Sequence, residues 1–169
     1  MLLADLATTC RSAVGRTGYD REIELVPQAE ALGRLQSELV QLRRGLTWIG
    51  VEPSRIDHLL TKVALDGMFK TRRAIVNHFA EVGDDLRPTS RDVAAYLRLP
   101  TPTVNRVLDD LAAHCVVVRA GTGGAYTWRA SRWLTEKMTA IGFAAVPWST
   151  WTRRVPLTHA TVVPLSGRR

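Results

Sequence analysis

At 169 residues, with 46% hydrophobic and 23% charged side chains, the chain has the composition of a globular protein, not of a disordered or fibrous one. Its formal net charge of +7 favours an anionic partner such as nucleic acid, yet four of its arginines, Arg153, Arg154, Arg168 and Arg169, fall in residues 147–169, which hold no Asp or Glu. Two cysteines, Cys10 and Cys115, lack zinc-type spacing and do not make a disulfide framework; with no apolar run of the roughly 18 residues a membrane helix needs and no secretion-type leader, the expectation is a cytoplasmic protein without a membrane association.

The first expected element is a helix over residues 2–14, with Leu2, Leu3, Leu6, Cys10 and Val14 on one stripe and Gly15 and Gly18 ending it. A loop follows, with a short extended piece at Glu22–Val26. Pro27 suits the first turn of a long amphipathic helix in which Leu32, Leu35, Leu39, Leu42 and Leu46 repeat at three and four. Gly50 breaks it, and Glu52-Pro53 starts a helix with Ile56, Leu59, Leu60, Val63 and Ala64 on its buried side. The next helix, from Lys70, turns Ile75, Phe79 and Val82 inward and stops at Gly83; His78 sits near its inward stripe as a partly buried structural histidine.

Two short helices follow in "RPTSRDVAAYLRLPTPTVNRVLDDLAAH", residues 87–114. Thr89 and Asp92 form a capping box, and Val93, Ala94 and Leu97 point to the core. Leu99-Pro100 closes the turn, since a residue before proline avoids helical angles. Thr101 caps the second helix through its hydroxyl, Pro102 takes its first position, and Val104, Val107, Leu108 and Leu111 line its inner face. The period then changes: "VVVRA-GTGG-AYTWR" is a β-hairpin pattern around a glycine-rich turn. "SRWLTEKMTAIGF" returns to helix, capped by Ser131.

From Lys70 the order helix, helix, tight turn, helix, hairpin, helix resembles a winged helix-turn-helix DNA-binding domain over about residues 70–143. The expected fold class is mainly α: a winged helix-turn-helix with a short β-hairpin wing, preceded by an N-terminal helical segment. The expected divisions are 1–66 for packing or dimerisation, 67–143 for the winged domain and 144–169 for a basic, loosely ordered tail. The resemblance to bacterial regulator-type winged helices implies that the helix from Pro102 enters the major groove. At 100° per residue its outer face carries Pro102, Arg106, Asp109 and Ala113, flanked by Thr103, Asn105 and Asp110. Thr101 and Thr103 offer hydroxyls at the phosphate-attracting N-terminus, Asn105 suits adenine, and Arg106 suits guanine or phosphate. Arg72, Arg73, Arg91 and Arg98 near the helices, with Arg119 and Arg129 in the wing, fit a phosphate-clamping role. Asp109 and Asp110 repel phosphate unless paired, and Arg106 is their local candidate partner. Cys115 stands where such domains commonly end the third helix on glycine.

The N-terminal stretch "LLADLATTCRSAVGRTGYDREIELVPQAEALGRLQSELVQLRRGL" resembles a segment near the C-terminal end of larger actinobacterial mobile-element or phage-type proteins. Its leucine stripe also suits a homodimer. A two-fold pair would set two reading helices about one DNA turn apart. Trp128 and Trp133 are expected to seal the core or a subunit contact, whereas Trp148 and Trp151 accompany the arginines of the tail. No phosphate loop, nucleophile elbow or metal-ligand spacing is present, so the expectation is no enzyme, no cofactor and no metal. Double-stranded DNA is the expected partner, in transcriptional regulation or a mobile-element or phage DNA transaction. The alternative is a protein partner docked through the same helices, within a replication or transposition assembly.

Overall fold

The computed structural model describes residues 2–18, 22–27, 32–82, 86–121 and 126–142. Among them run α1 (Leu2–Arg11), β1 (Gly15–Arg16), β2 (Ile23–Leu25), α2 (Leu32–Trp48), α3 (Pro53–Asp66), α4 (Lys70–Val82), α5 (Ser90–Leu97), α6 (Thr101–Ala113), β3 (Val117–Ala120), β4 (Thr127–Ala130) and α7 (Arg132–Ala140). The chain is mainly helical, with two antiparallel sheets of two strands each among the described residues, β1–β2 and β3–β4. None of the described helices is long and apolar enough to cross a membrane.

One buried cluster joins the two ends of this order. Leu6, Ala7 and Cys10 of α1 pack in it with Ile75, Val76 and Phe79 of α4, Val93 of α5, Val104, Leu108 and Leu111 of α6, and Leu134 and Met138 of α7. Val117 and Trp128 close it from the β3–β4 hairpin. Each such aliphatic or aromatic side chain contributes roughly 1.5–3 kcal/mol by leaving water. An ion pair between Asp5 and Lys137 joins α1 to α7 along the edge of this core. Burial pushes the Cys10 thiol up to about 12, against the opposing pull of the Arg72 charge, so it packs as a neutral, unreactive group.

Several expected boundaries shift. The first helix stops at Arg11, because the chain must turn to place β1 beside β2, where Gly15 pairs with Leu25 and Arg16 with Ile23. Pro27 is not helical, and the described part of the long helix begins at Leu32. Leu35 is its one buried leucine, while Trp48 is 94% exposed and the adjoining Ile49 75% exposed at the α2–α3 corner. In α3 the buried face is set by Ile56, Leu60, Ala64 and Leu65, which leaves the expected core residue Val63 exposed at its margin. His78 is more buried than its position on the stripe implied. The Gly83 stop, the glycines of the β3–β4 turn beyond Gly121, and the tail with Trp148 and Trp151 lie outside the described residues.

The helix pair α5–α6 follows its local chemistry. Thr89 and Asp92 cap α5 reciprocally: the Thr89 Oγ1 accepts from the Asp92 N–H, and the Asp92 carboxylate accepts from the Thr89 N–H at 2.9 Å. Ser131 caps α7 by accepting from the Leu134 N–H. Helices α5 and α6 end alike. Arg98 and Cys115 take left-handed backbone angles, φ 54° and 56°, and the following Leu99 and Val116 N–H groups reach back to Ala94 and Leu111 carbonyls at 3.0 and 2.8 Å. This is the helix stop that glycine usually makes. A side chain in that region costs about 1–2 kcal/mol. Part of that returns on substitution, since glycine gains freedom in the unfolded chain. Cys115 is exposed, so little packing is lost with it. Cys115→Gly is therefore expected to raise stability by roughly 0.5–1 kcal/mol, read as a higher denaturant midpoint at unchanged m-value, whereas Cys115→Ala brings no gain.

Candidate nucleic-acid interface

Helix α6 buries one side completely and leaves the start of the other open. Val104, Leu108 and Leu111 are buried, and Val107 is half-buried at their edge. That fixes the rotation of the helix and turns Pro102, Thr103, Asn105 and Arg106 to solvent. The β3–β4 hairpin follows immediately, with Val117 opposite Ala130 and Arg119 opposite Trp128. It is held against α5: the Trp128 N–H donates to the Pro88 carbonyl at 2.9 Å, and its indole Nε1–H donates to Ser90 Oγ at 2.8 Å. Trp128 thus seals the core and joins the hairpin to the helix pair at once.

The second half of α6 is covered by the N-terminal segment. The Asp110 carboxylate receives the Arg72 guanidinium at 3.0 Å and, on its other oxygen, Arg16 of β1. Arg16 also donates to the Arg106 backbone carbonyl at 3.3 Å. His114 Nε2 lies 3.3 Å from the Ala13 carbonyl oxygen, just past the same end of the helix. Arg72 in turn donates to the carbonyls of Cys10 and Ser12, so one buried guanidinium joins α1, α4 and α6. Asp109, half-buried beside this network, has its carboxyl pushed above the ordinary range by burial; Arg119 and Arg16 oppose the shift and Asp110 adds to it.

These contacts correct four expectations. Arg72 and Arg73 are not phosphate clamps: both are buried, Arg72 on Asp110 and Arg73 on Asp66. Arg106 is not the partner of the acidic pair; its side chain is exposed and forms no ion pair among the described residues, because Arg16 and Arg72 reach Asp110 first. Thr101 does not cap α6. It is already helical, the cap position is Pro100, and the Pro100 carbonyl accepts from the Thr103 and Val104 N–H groups. Pro102 accordingly moves to the second helical position, and with no N–H on Pro102 and that of Thr103 turned inward, the first turn offers fewer donors to an anion than an ordinary one.

The remaining expected residues divide. Arg91 is exposed on α5, and Arg98 is exposed in the turn before α6. Arg119 and Arg129 do not share a face. Register puts Arg119 with Trp128 on one side of the hairpin and Arg129 with Val118 on the other. Arg119 lies over the Tyr126 ring, 3.6 Å from its centre, and lines an open cleft with Arg16, Asp109 and Trp128. Sequence reading missed Arg16 altogether, since its partner is 94 positions away and nothing local marks the pair.

Comparison with protein-family models, with curated proteins and with solved structures gave no match.

The Asp110 network carries the testable consequence. The Arg72 and Asp110 side chains are 7% and 13% exposed. Removing one partner of a buried pair leaves the other uncompensated, at a cost of about 3–5 kcal/mol. Asp110→Ala is expected to lose that much in chemical denaturation. Arg16→Ala loses less, because Asp110 keeps Arg72. Equal losses from the two variants would contradict this ordering.

Proposed function

We propose that this chain binds double-stranded DNA through a winged helix-turn-helix in which α5 and α6 are the helix pair and β3–β4 is the wing. The observation that carries the reading is the exposed polar start of α6, Thr103, Asn105 and Arg106, in a helix that is followed at once by a hairpin bonded to the start of α5. An amide and a guanidinium on one exposed helical turn are the groups that discriminate adenine and guanine in a major groove. The acids that would repel phosphate are occupied: Asp110 holds two arginines, and Asp109 faces Arg16 and Arg119. Arg91 and Arg98 supply phosphate contacts next to the reading helix, and Thr101 and Thr103 supply hydroxyls at its start. Arg119 and Arg129 approach a backbone from opposite faces of the wing, so a single groove engages one of them more than the other.

The biological setting that fits is transcriptional control or a DNA transaction of a mobile element or phage. The reading is tested by anisotropy titration of a labelled duplex, chosen by selection from random sequence, across a salt series. Affinity is expected to fall by about 0.9 log unit per log unit of salt for each phosphate neutralised. Arg106→Ala should cost about 1–3 kcal/mol on the selected site and relax preference at one base step. Arg91→Ala should weaken selected and unrelated duplexes alike and reduce the salt slope by about one phosphate. No binding at low salt would overturn the reading and favour a protein partner on the same helices.

A further inference from the structure

Helices α2 and α3 form a hairpin whose apolar surface the rest of the molecule leaves largely open. Helix α2 packs mainly on α1 and α3, and Leu35 is the one buried residue of its 17. Val40 is 42% exposed, and at the corner Trp48 is 94% and Ile49 75% exposed. Beside this knob the same hairpin carries a hollow. About 180 Å³ in volume, it is lined by Leu3 and Ala4 of α1, Leu39 and Val40 of α2 and Leu60 of α3, with Gln36 at its edge. A cavity of about 150 Å³ admits benzene, so this one has room for an aromatic side chain.

Knob and hollow are related through α2. Trp48 stands two turns beyond Val40, about 12 Å along the helix and about 80° around it. A two-fold axis crossing α2 between them carries the Trp48 of each copy toward the hollow of the other. Each chain thus brings one projecting indole and one apolar recess of matching size, the self-complementarity that a two-fold interface requires. Gln36 carries the amide acceptor that a buried indole N–H needs.

Charge and area fit the same partner. Residues 32–66 hold five basic and four acidic side chains, against a net +7 for the whole chain. Arg43, which also borders the hollow, is held by Asp57, while Arg34 and Lys62 are held by Glu38 and Asp66. A nearly balanced surface of this kind has little field to draw nucleic acid or an anionic membrane, and a second copy meets little repulsion on it. The hairpin face is about 25 Å long and, at two helices, about 20 Å wide, which gives on the order of 500 Å² per copy. Two copies supply the roughly 1,000 Å² that a specific interface needs.

We propose that the α2–α3 hairpin is a homodimer interface in which Trp48 of each copy fills the Leu3–Val40–Leu60 hollow of the other. The expected leucine stripe is not this contact: Leu39 turns into the hollow and the core, and the exposed Val40 and Trp48 meet the second copy.

The test is sedimentation velocity of the full chain over a concentration series without DNA, so its outcome is independent of what α6 binds. A concentration-dependent dimer is expected. Trp48→Ala removes the knob at an exposed position and is expected to weaken dimerisation about a hundredfold or more. Val40→Asp puts a charge at the mouth of the hollow and should do the same, with folding of both variants checked by circular dichroism. A mixture of the two variants retains one intact knob and one intact hollow per mixed pair. It is expected to associate more tightly than either variant alone. The proposal is overturned if the chain stays monomeric to about 0.1 mM, if Trp48→Ala dimerises like the unaltered chain, or if the mixture associates no better than its parts.

Discussion

Asp110 is the point on which the arrangement turns. A carboxylate on the outer side of a helix ordinarily faces water. Here it receives a buried arginine from α4 and a second from β1, and the α4 arginine also caps the end of α1 through two carbonyls. Removing an arginine from water is costly unless its donors are all used. Arg72 offsets much of that cost through three hydrogen bonds, to the Cys10 and Ser12 carbonyls and to Asp110, which draw three segments together. The consequence for α6 is orientation: its inner side is held by Val104, Leu108 and Leu111, its outer second half by Asp110, and the first turn and a half is what remains for a partner.

The same logic explains why the N-terminal residues share the core with the helix pair. Leu6, Ala7 and Cys10 bury their side chains, and the carbonyls at the end of α1, left without helical partners, are answered by Arg72. The hairpin is tied at a different place. Trp128 uses its backbone and its indole on Pro88 and Ser90, which bonds the strands to the start of α5. Two left-handed residues, Arg98 and Cys115, end the two helices without glycine, which places local backbone strain on either side of α6.

What was legible in the sequence was local. The apolar spacing of α5 and α6, the Thr89–Asp92 box, the Ser131 cap and the β3–β4 hairpin each depend on residues a few positions apart. Cys115 is an unusual residue for its place, and its positive φ is the physical form of that oddity. What was hidden depended on distant partners. Arg72 and Arg73 look like surface cations until Cys10, Ser12, Asp110 and Asp66 are brought to them. Arg16 looks like a loop residue until β1 meets α6. Thr101 was misplaced by one residue because Pro100 and Pro102 each permit a helix start. The split of Arg119 from Arg129 could have been read, since their positions follow from strand alternation once the register is set.

In the proposed DNA complex the exposed first turn and a half of α6 meets the duplex, and the Asp110 end stays covered. Amide chemical-shift mapping of the labelled chain against a short duplex tests this most directly. The predicted result is perturbation concentrated at residues 101–106, with Arg91 and Arg98, and little change at residues 108–111. Perturbation centred instead on the α2–α3 corner around Trp48, with residues 101–106 unmoved, would contradict it.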